Sequence, residues 1–492
     1  MGIPLLVEKT KAFFINRKKT TVLFIILTVG AFYLCTLRPG HNWGGDFSIY
    51  IHHAKNIVEG KNYKDTGYIY NPLNPIAPRT EPPVFPLLLV PAYALFKLNL
   101  TAMKVEIIFI FLLSLYLIFK VFRDEISWPR LVVLLLLTGF HPYFWGFKDN
   151  VLSDIPFFFF TFLSLLFIKK AYDSSQRSSL WLKGLLAGIA IYLAYGTRAI
   201  GIVLLPCFLL YDLMNRRKIS SSLIAALSVF SAFWVIQTMF FHSAGSNLEL
   251  FVFNPKIIAK NLSVYKLIVS GMWYNGYSKN ISIAVSVFTG IFAFAGFLRR
   301  AVRRVSIFEL FFVFYLIPVV VWPYFDGPRF LFPLFPLYIF YAFEGARTLS
   351  FLKKPLIEKG IACLLSLVMI LSCIGWYTKA KYSPLSKSVM KEESRGLFNY
   401  IKKNTNRKDT FIFIKPRVLA LFTERRCAVY PLTRNPAVFW EYLKSIDTDY
   451  IVVSRVFFQD ISVLYPFVLK NKSKVRNVYT NPDFKIFKII KR

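Results

Sequence analysis

The chain has 492 residues, with 61 Lys and Arg against 26 Asp and Glu, a net charge of +35. Hydrophobic residues make up 55% and aromatics 18%, 52 of them Phe, and mean hydropathy is +0.49. Apolar runs recur from residue 21 to residue 377, which excludes a soluble enzyme, a disordered chain and a secreted disulfide scaffold. The runs are continuous, not alternating, so they read as membrane helices and not as barrel strands.

The basic residues cluster between apolar runs, where they fix orientation in a membrane, so the charge does not argue for a nucleic-acid partner. Cys35, Cys207, Cys363 and Cys373 lie in or beside apolar runs and Cys427 in a polar region. No CxxC or Cys/His spacing implies a disulfide framework or a zinc site.

In chain order, Lys9, Lys11, Arg17, Lys18 and Lys19 precede a first span near 21–36. It is predicted to be uncleaved, with the N-terminus cytoplasmic. Further spans are expected near 104–122, 130–147, 154–171, 183–196, 199–214, 221–241, 280–298, 307–323, 329–346 and 359–377, making eleven. Segment 82–98, PPVFPLLLVPAYALFKL, is apolar but short and holds four prolines. If it crossed, the clusters Lys169/Lys170/Arg177/Lys183, Arg216/Arg217/Lys218, Arg299/Arg300/Arg303/Arg304 and Arg347/Lys353/Lys354 would all face outside. The positive-inside bias therefore makes it an interfacial helix and makes 38–103 one outer loop. Residues 1–377 form the transmembrane module.

From about 378 the composition changes. Helix at 393–404, strand Thr410–Ile414, a helix, strand Ala428–Leu432, helix 437–446, strand Tyr450–Ser454, helix 460–470 and two closing strands predict a small α/β domain over 378–492. The parity of the spans places it outside the cytoplasm.

Ionisable groups at span ends mark function in such a chain, because placing them there is costly. In the first outer loop Gly44-Gly45 allows a turn. Asp46 then starts a helix, as an N-cap or as a site acid, with Tyr50 and His53 on the same face and Gly60 at its end. Arg79, Thr80 and Glu81 precede the interfacial segment. Lys148, Asp149, Asn150 and Asp154 stand between the third and fourth spans. Arg198 and Arg329 are isolated from the inner clusters, and arginine suits phosphate recognition. Each could instead snorkel or pair with Asp326 or Asp154. All these candidates precede residue 345, which leaves the tail to acceptor handling or membrane positioning.

Together these features resemble the GT-C glycosyltransferase superfamily, in the branch of protein O-mannosyltransferases and lipid A aminoarabinose transferases. The resemblance rests on Gly45-Asp46, Tyr50, Ala54 and Gly60; on Pro82-Pro83 with Pro86-Leu87-Leu88; on Asp154; on Thr197-Arg198 with Gly201; and on Arg329-Phe330-Leu331 with Pro333 and Pro336. Two departures, Asp46-Phe47 in place of Asp-Glu and Thr80-Glu81 in place of Glu-Lys, argue against a specific subfamily. The resemblance implies a polyprenyl-phosphate-linked sugar as donor and a lipid, glycan or protein acceptor. Transfer would occur on the extracytoplasmic face, in a bacterial inner membrane. It implies Asp46 as general base, Arg198 and Arg329 on the donor phosphate, and Asp154, Glu81, Tyr50, His53 and Lys148 in support. It makes no cofactor certain and leaves a divalent metal open. The competing classes are a transporter or flippase of lipid-linked substrate and a non-enzymatic scaffold. The transporter usually carries inverted repeats and helices broken near the membrane centre, neither of which the sequence displays.

Overall fold

Among the residues described, nine helices are long and apolar enough to cross a membrane. They are Arg17–Cys35, Leu100–Phe122, Trp128–Phe147, Asp154–Tyr172, Leu180–Thr197, Ala199–Arg216, Ser221–Phe241, Lys279–Arg303 and Leu356–Lys379. At about 1.5 Å per residue they match a hydrocarbon core of about 30 Å. The structure, a computed structural model, describes residues 3–76, 78, 80–172, 177–241, 254–323, 327–352, 355–380, 382–383, 385, 388–433 and 435–490. Arg79, Asp326, Lys353, Lys354 and the side chain of Arg177 lie outside that set.

The two other expected spans take different forms. Ile307–Val321 is apolar but has 15 residues. Its start is fixed by a capping box, in which Ser306 accepts from the Phe308 N–H and Glu309 reaches back to the Ser306 N–H. The expected span near 329–346 begins as a 3-10 segment, Gly327–Leu334, and becomes α-helix only over Phe335–Ala346. Pro328, Pro333 and Pro336 remove backbone donors there, so an unbroken α-helix cannot form. Phe335–Ala346 is buried on nearly every side, as an apolar central helix should be. The span near 130–147 is also interrupted, at His141-Pro142, between helices Trp128–Phe140 and Pro142–Phe147. One helix has no counterpart in the expected set: Pro255–Gly271 is capped by the Asn254 side chain, and Asn261 donates from Nδ2 to the carbonyls of Val320 and Trp322.

The segment expected to lie along the membrane is the helix Val84–Phe96, 13 residues with Pro91 inside it. At about 20 Å it is too short to cross a core of about 30 Å. Phe85 and Leu89 are buried beneath it, while Leu87, Leu95 and Phe96 are exposed.

Charged side chains gather at the two ends of the helices. At one end Arg300 pairs with Glu309 and Glu125, Lys169 with Glu125, Arg130 with Glu358, and Arg299 and Arg347 with Glu344. The candidate site residues are all at the other end.

There the helix Asp46–Val58 packs on the helix Val84–Phe96 and on an α/β unit built by the tail. Its sheet has six strands: β1 (Tyr68–Ile69), β2 (Thr410–Ile412), β3 (Arg426–Ala428), β4 (Tyr450–Ser454), β5 (Val475–Thr480) and β6 (Phe484–Ile489), in the order β1-β3-β2-β4-β6-β5. The first four in that order run parallel; β6 is antiparallel to β4 and to β5. The second and third strands are shorter than expected, and β3 ends where Ala428–Leu432 was expected to begin. β1 comes from the outer loop. Its Tyr68 stands opposite Cys427 and its Ile69 opposite Ala428. Asn71 and Asn74 donate to the carbonyls of Val429 and Tyr430, and Lys55 pairs with Glu424. The loop and the tail thus share one sheet and one core.

Candidate active site

Asp46 is the first residue of its helix, and Gly45 occupies the cap position without a side-chain hydrogen bond. The capping reading therefore gives way to ion pairing. Asp46 Oδ1 accepts from Arg417 Nη2 at 2.8 Å, and Oδ2 lies 3.5 Å from Arg329 Nη2. Burial pushes the Asp46 carboxyl up, but Arg417, Arg329 and Arg198 together hold it below its ordinary value. Gly45 makes room for this: a Cβ there would stand 2.6 Å from Arg417 Nη2.

Asp154 opens the helix Asp154–Tyr172 and is almost fully buried. It pairs with Arg198 through Oδ1, and its Oδ2 lies 3.9 Å from Arg329 Nη1. Both arginines thus meet Asp154, one of the alternatives to snorkelling or to pairing with Asp326. Their guanidinium carbons stand 5.1 and 5.6 Å from the Phe330 ring centre. Arg329 bridges the two aspartates, so Asp46, Asp154, Arg198 and Arg329 form one cluster from four separate segments.

Glu81 faces this cluster through Arg417, whose Nη1 is 3.9 Å from Glu81 Oε1. Burial, with Asp46 nearby, pushes the Glu81 carboxyl up to about 7. Tyr50 meets Ser153, next to Asp154, at 3.1 Å between hydroxyls.

Two expected members stand apart. His53 has both ring nitrogens engaged: Nδ1 contacts the Tyr63 carbonyl at 2.8 Å and Nε2 accepts from the Glu81 N–H at 3.3 Å. Burial holds it at about 3, so it is a neutral strut for the Glu81 backbone. Lys148 donates to Asp149 at 2.9 Å and lies over the Trp145 ring, and Asp149 in turn takes two bonds from Arg38. That group ties the start of the outer loop to the 148–151 segment.

Arg417 was not among the expected residues. It sits near the start of the tail helix Pro416–Thr423, is 6% exposed, and contacts Asp46 and Glu81. A cavity of about 570 Å³ opens beside it, lined by Asp46, Arg329, Lys415, Arg417, Asn42 and Asn150 among others.

The donor set suits an anion better than a divalent cation. Asp46 faces Arg329 and Arg417, Asp154 faces Arg198 and Arg329, and Glu81 shares Arg417 with Asp46. Among the described residues no group of three or more His, Cys, Asp or Glu is placed to hold a metal.

The Dolichyl-phosphate-mannose-protein mannosyltransferase family model matches residues 80–241. Among solved structures, ArnT from Cupriavidus metallidurans bound to undecaprenyl phosphate is similar, at 11% identity over 95% of this chain and 97% of that one, with a TM-score of 0.55. The oligosaccharyltransferase AglB from Archaeoglobus fulgidus, in complex with an inhibitory peptide and a dolichol-phosphate, is similar at 12% identity over 94% of this chain and 74% of that one, with a TM-score of 0.60. The chain has the GT-C glycosyltransferase fold. An Archaeoglobus fulgidus oligosaccharyltransferase in complex with Zn and sulfate is also similar, at 12% identity over 93% of this chain and 72% of that one, with a TM-score of 0.61. No curated protein matches the sequence. In this fold the segment 38–103, with its helices Asp46–Val58 and Val84–Phe96, and the tail unit meet at the acid–arginine cluster at one end of the helices.

Proposed function

We propose that this protein is a glycosyltransferase that moves a hexosyl or pentosyl unit from a polyprenyl-phosphate donor to a lipid, glycan or protein hydroxyl, on the extracytoplasmic face of a bacterial inner membrane. The observation that carries this is the 3.5 Å contact between Asp46 and Arg329 beside an open cavity. It puts a carboxylate kept ionised next to a guanidinium suited to phosphate.

In this reading the acceptor oxygen attacks the anomeric carbon and a new glycosidic bond forms. The bond from that carbon to the donor phosphate oxygen breaks, and its electron pair stays on the polyprenyl phosphate. Asp46 takes the hydroxyl proton. Arg198 and Arg329 offset the charge that builds on the departing phosphate, and buried Asp154 fixes both guanidinium groups in advance. The carbon skeleton of the donor rests among the Phe- and Leu-rich helices beside the interfacial segment. The tail unit lies on the outer side, with the N-terminus in the cytoplasm.

The test is release of polyprenyl phosphate from an undecaprenyl-phosphate sugar by the purified protein in detergent. Asp46→Asn should lower turnover roughly 10²–10⁴-fold, the usual general-base contribution, while donor binding persists. A folded Asp46→Asn protein with full activity would remove Asp46 as the base.

A further inference from the structure

The tail unit brings two cations to the cavity that the donor site does not need. Arg417 is nine-tenths buried, and among the described residues only its Nη2 has a hydrogen-bond partner; Nη1 faces Glu81 Oε1 at 3.9 Å, beyond hydrogen-bond reach, and Nε has no partner. Leaving the buried N–H groups of Nε and Nη1 without a hydrogen bond costs free energy unless a ligand completes them. Lys415, two residues earlier, also lines the cavity. Its Nζ lies 5.6 Å from the Phe457 ring centre, and among the described residues no carboxylate pairs with it. Burial and Arg417 both pull the Lys415 ammonium below its ordinary value, and an added anion would reverse that. Arg198 and Arg329 meet Asp154, whereas Arg417 meets the other oxygen of Asp46. The carboxylate of Asp46 therefore stands between two cationic groups, one from the transmembrane helices and one from the tail.

We propose that Lys415 and Arg417 form a second oxyanion site, and that the acceptor carries a phosphate group next to the hydroxyl that Asp46 deprotonates. This rests on the glycosyltransferase reading and adds the acceptor's chemical class. A guanidinium and an ammonium lining one cavity are a common means of holding phosphate. Asn42 and Asn150 line the same cavity and suit the polar body of such an acceptor. Arg417 holds Asp46 in place until the acceptor arrives, and the acceptor phosphate then accepts from Nε and Nη1 without displacing the Nη2 bond.

The experiment is a calorimetric titration of the full-length protein in detergent with inorganic phosphate, in the presence of saturating undecaprenyl phosphate. The expected result is a phosphate site that remains when the lipid phosphate is bound. Lys415→Gln should weaken it at least tenfold, and Lys415→Arg should largely restore it, with both variants checked for an unchanged melting transition. Phosphate affinity that is the same in Lys415→Gln, or phosphate that competes one-for-one with undecaprenyl phosphate, overturns the proposal. If undecaprenyl phosphate fails to bind, the donor assignment falls; the Lys415 dependence of the phosphate titration still decides the second site. Two competitors separate the sources. Displacement by glycerol phosphate indicates a soluble or polymeric acceptor, and displacement by phosphatidylglycerol nanodiscs indicates a lipid headgroup. Either upholds the site, and displacement by neither overturns it.

Discussion

Arg417 and Asp46 are 371 positions apart in the chain and share a 2.8 Å hydrogen bond. One belongs to the tail unit and the other to the first outer loop. The proposed base is therefore held by the part of the chain whose sequence pointed only to acceptor handling or membrane positioning.

Arg198 and Arg329 are expected to bind donor phosphate while resting on Asp154. Replacing either with Ala should weaken undecaprenyl phosphate binding by about 1.5–3 kcal/mol, the range for hydrogen bonds to charged groups. Lys should restore only part of this, because it lacks the planar fork. Asp154→Asn should also weaken binding, although Asp154 is too deeply buried to touch the ligand. Affinity unchanged in all three would make the cluster a structural ion-pair network.

The buried Glu81 gives stability a defined pH dependence. Its carboxyl is pushed up to about 7 from an ordinary 4.5, with burial the main cause and Asp46 second. Arg417, Arg198 and Arg329 oppose the shift. The folded chain then holds a proton that the unfolded chain has already released, so stability falls as pH rises from about 4.5 to 7 and stays lower above that. Glu81→Gln should melt at a higher temperature than the parent at pH 8, with the gap closing near pH 5. An equal gap at both values would show that Glu81 does not titrate in this window.

The seat of β1 depends on Gly67, which has φ +67° and whose carbonyl accepts from the Cys427 N–H at 2.8 Å. A Cβ at this position would meet the Arg425 carbonyl oxygen at 2.8 Å. Gly67→Ala should cost at least about 1–2 kcal/mol from the left-handed backbone alone. It should raise hydrogen exchange at Tyr68 and Ile69. Unchanged exchange there would mean that the Asn71, Asn74 and Lys55 contacts suffice to hold the loop.

Orientation is checked by labelling. With Cys35 and Cys363 replaced by Ser, cysteines introduced at Lys97 and Ser383 should both react with a membrane-impermeant maleimide added from outside. Reaction at residue 97 only from the cytoplasmic side would mean that the interfacial helix crosses.

Asp46, Asp154, Arg198 and Arg329 stood out in the sequence because each is a charge at the edge of an apolar run, where there are few. Arg417 did not, because it lies among the 24 basic residues that follow position 377 and nothing local distinguishes it. Its role arises from a contact across most of the chain, which no periodicity records. The helix Pro255–Gly271 was obscured by Lys256, Lys260 and Lys266, which lower its hydropathy although Tyr265 and Asn261 are buried. β1 has two residues, too few for an alternating pattern to register. His53 shares a face with Asp46 as the helical spacing requires, but a shared face does not reveal that both of its nitrogens are already bonded.

Seating the outer-loop strand at the edge of the tail's sheet also imposes an order on biosynthesis. Tyr68 leaves the ribosome more than 350 residues before Cys427, the residue it will stand opposite. Through the insertion of every later helix the loop has no edge to join, and Asp46 has no arginine from the tail. The cluster around Asp46 is completed last, when the sheet forms beside a strand that has been waiting. A nascent chain that has not yet made the tail thus holds Asp46 without Arg417 beside it.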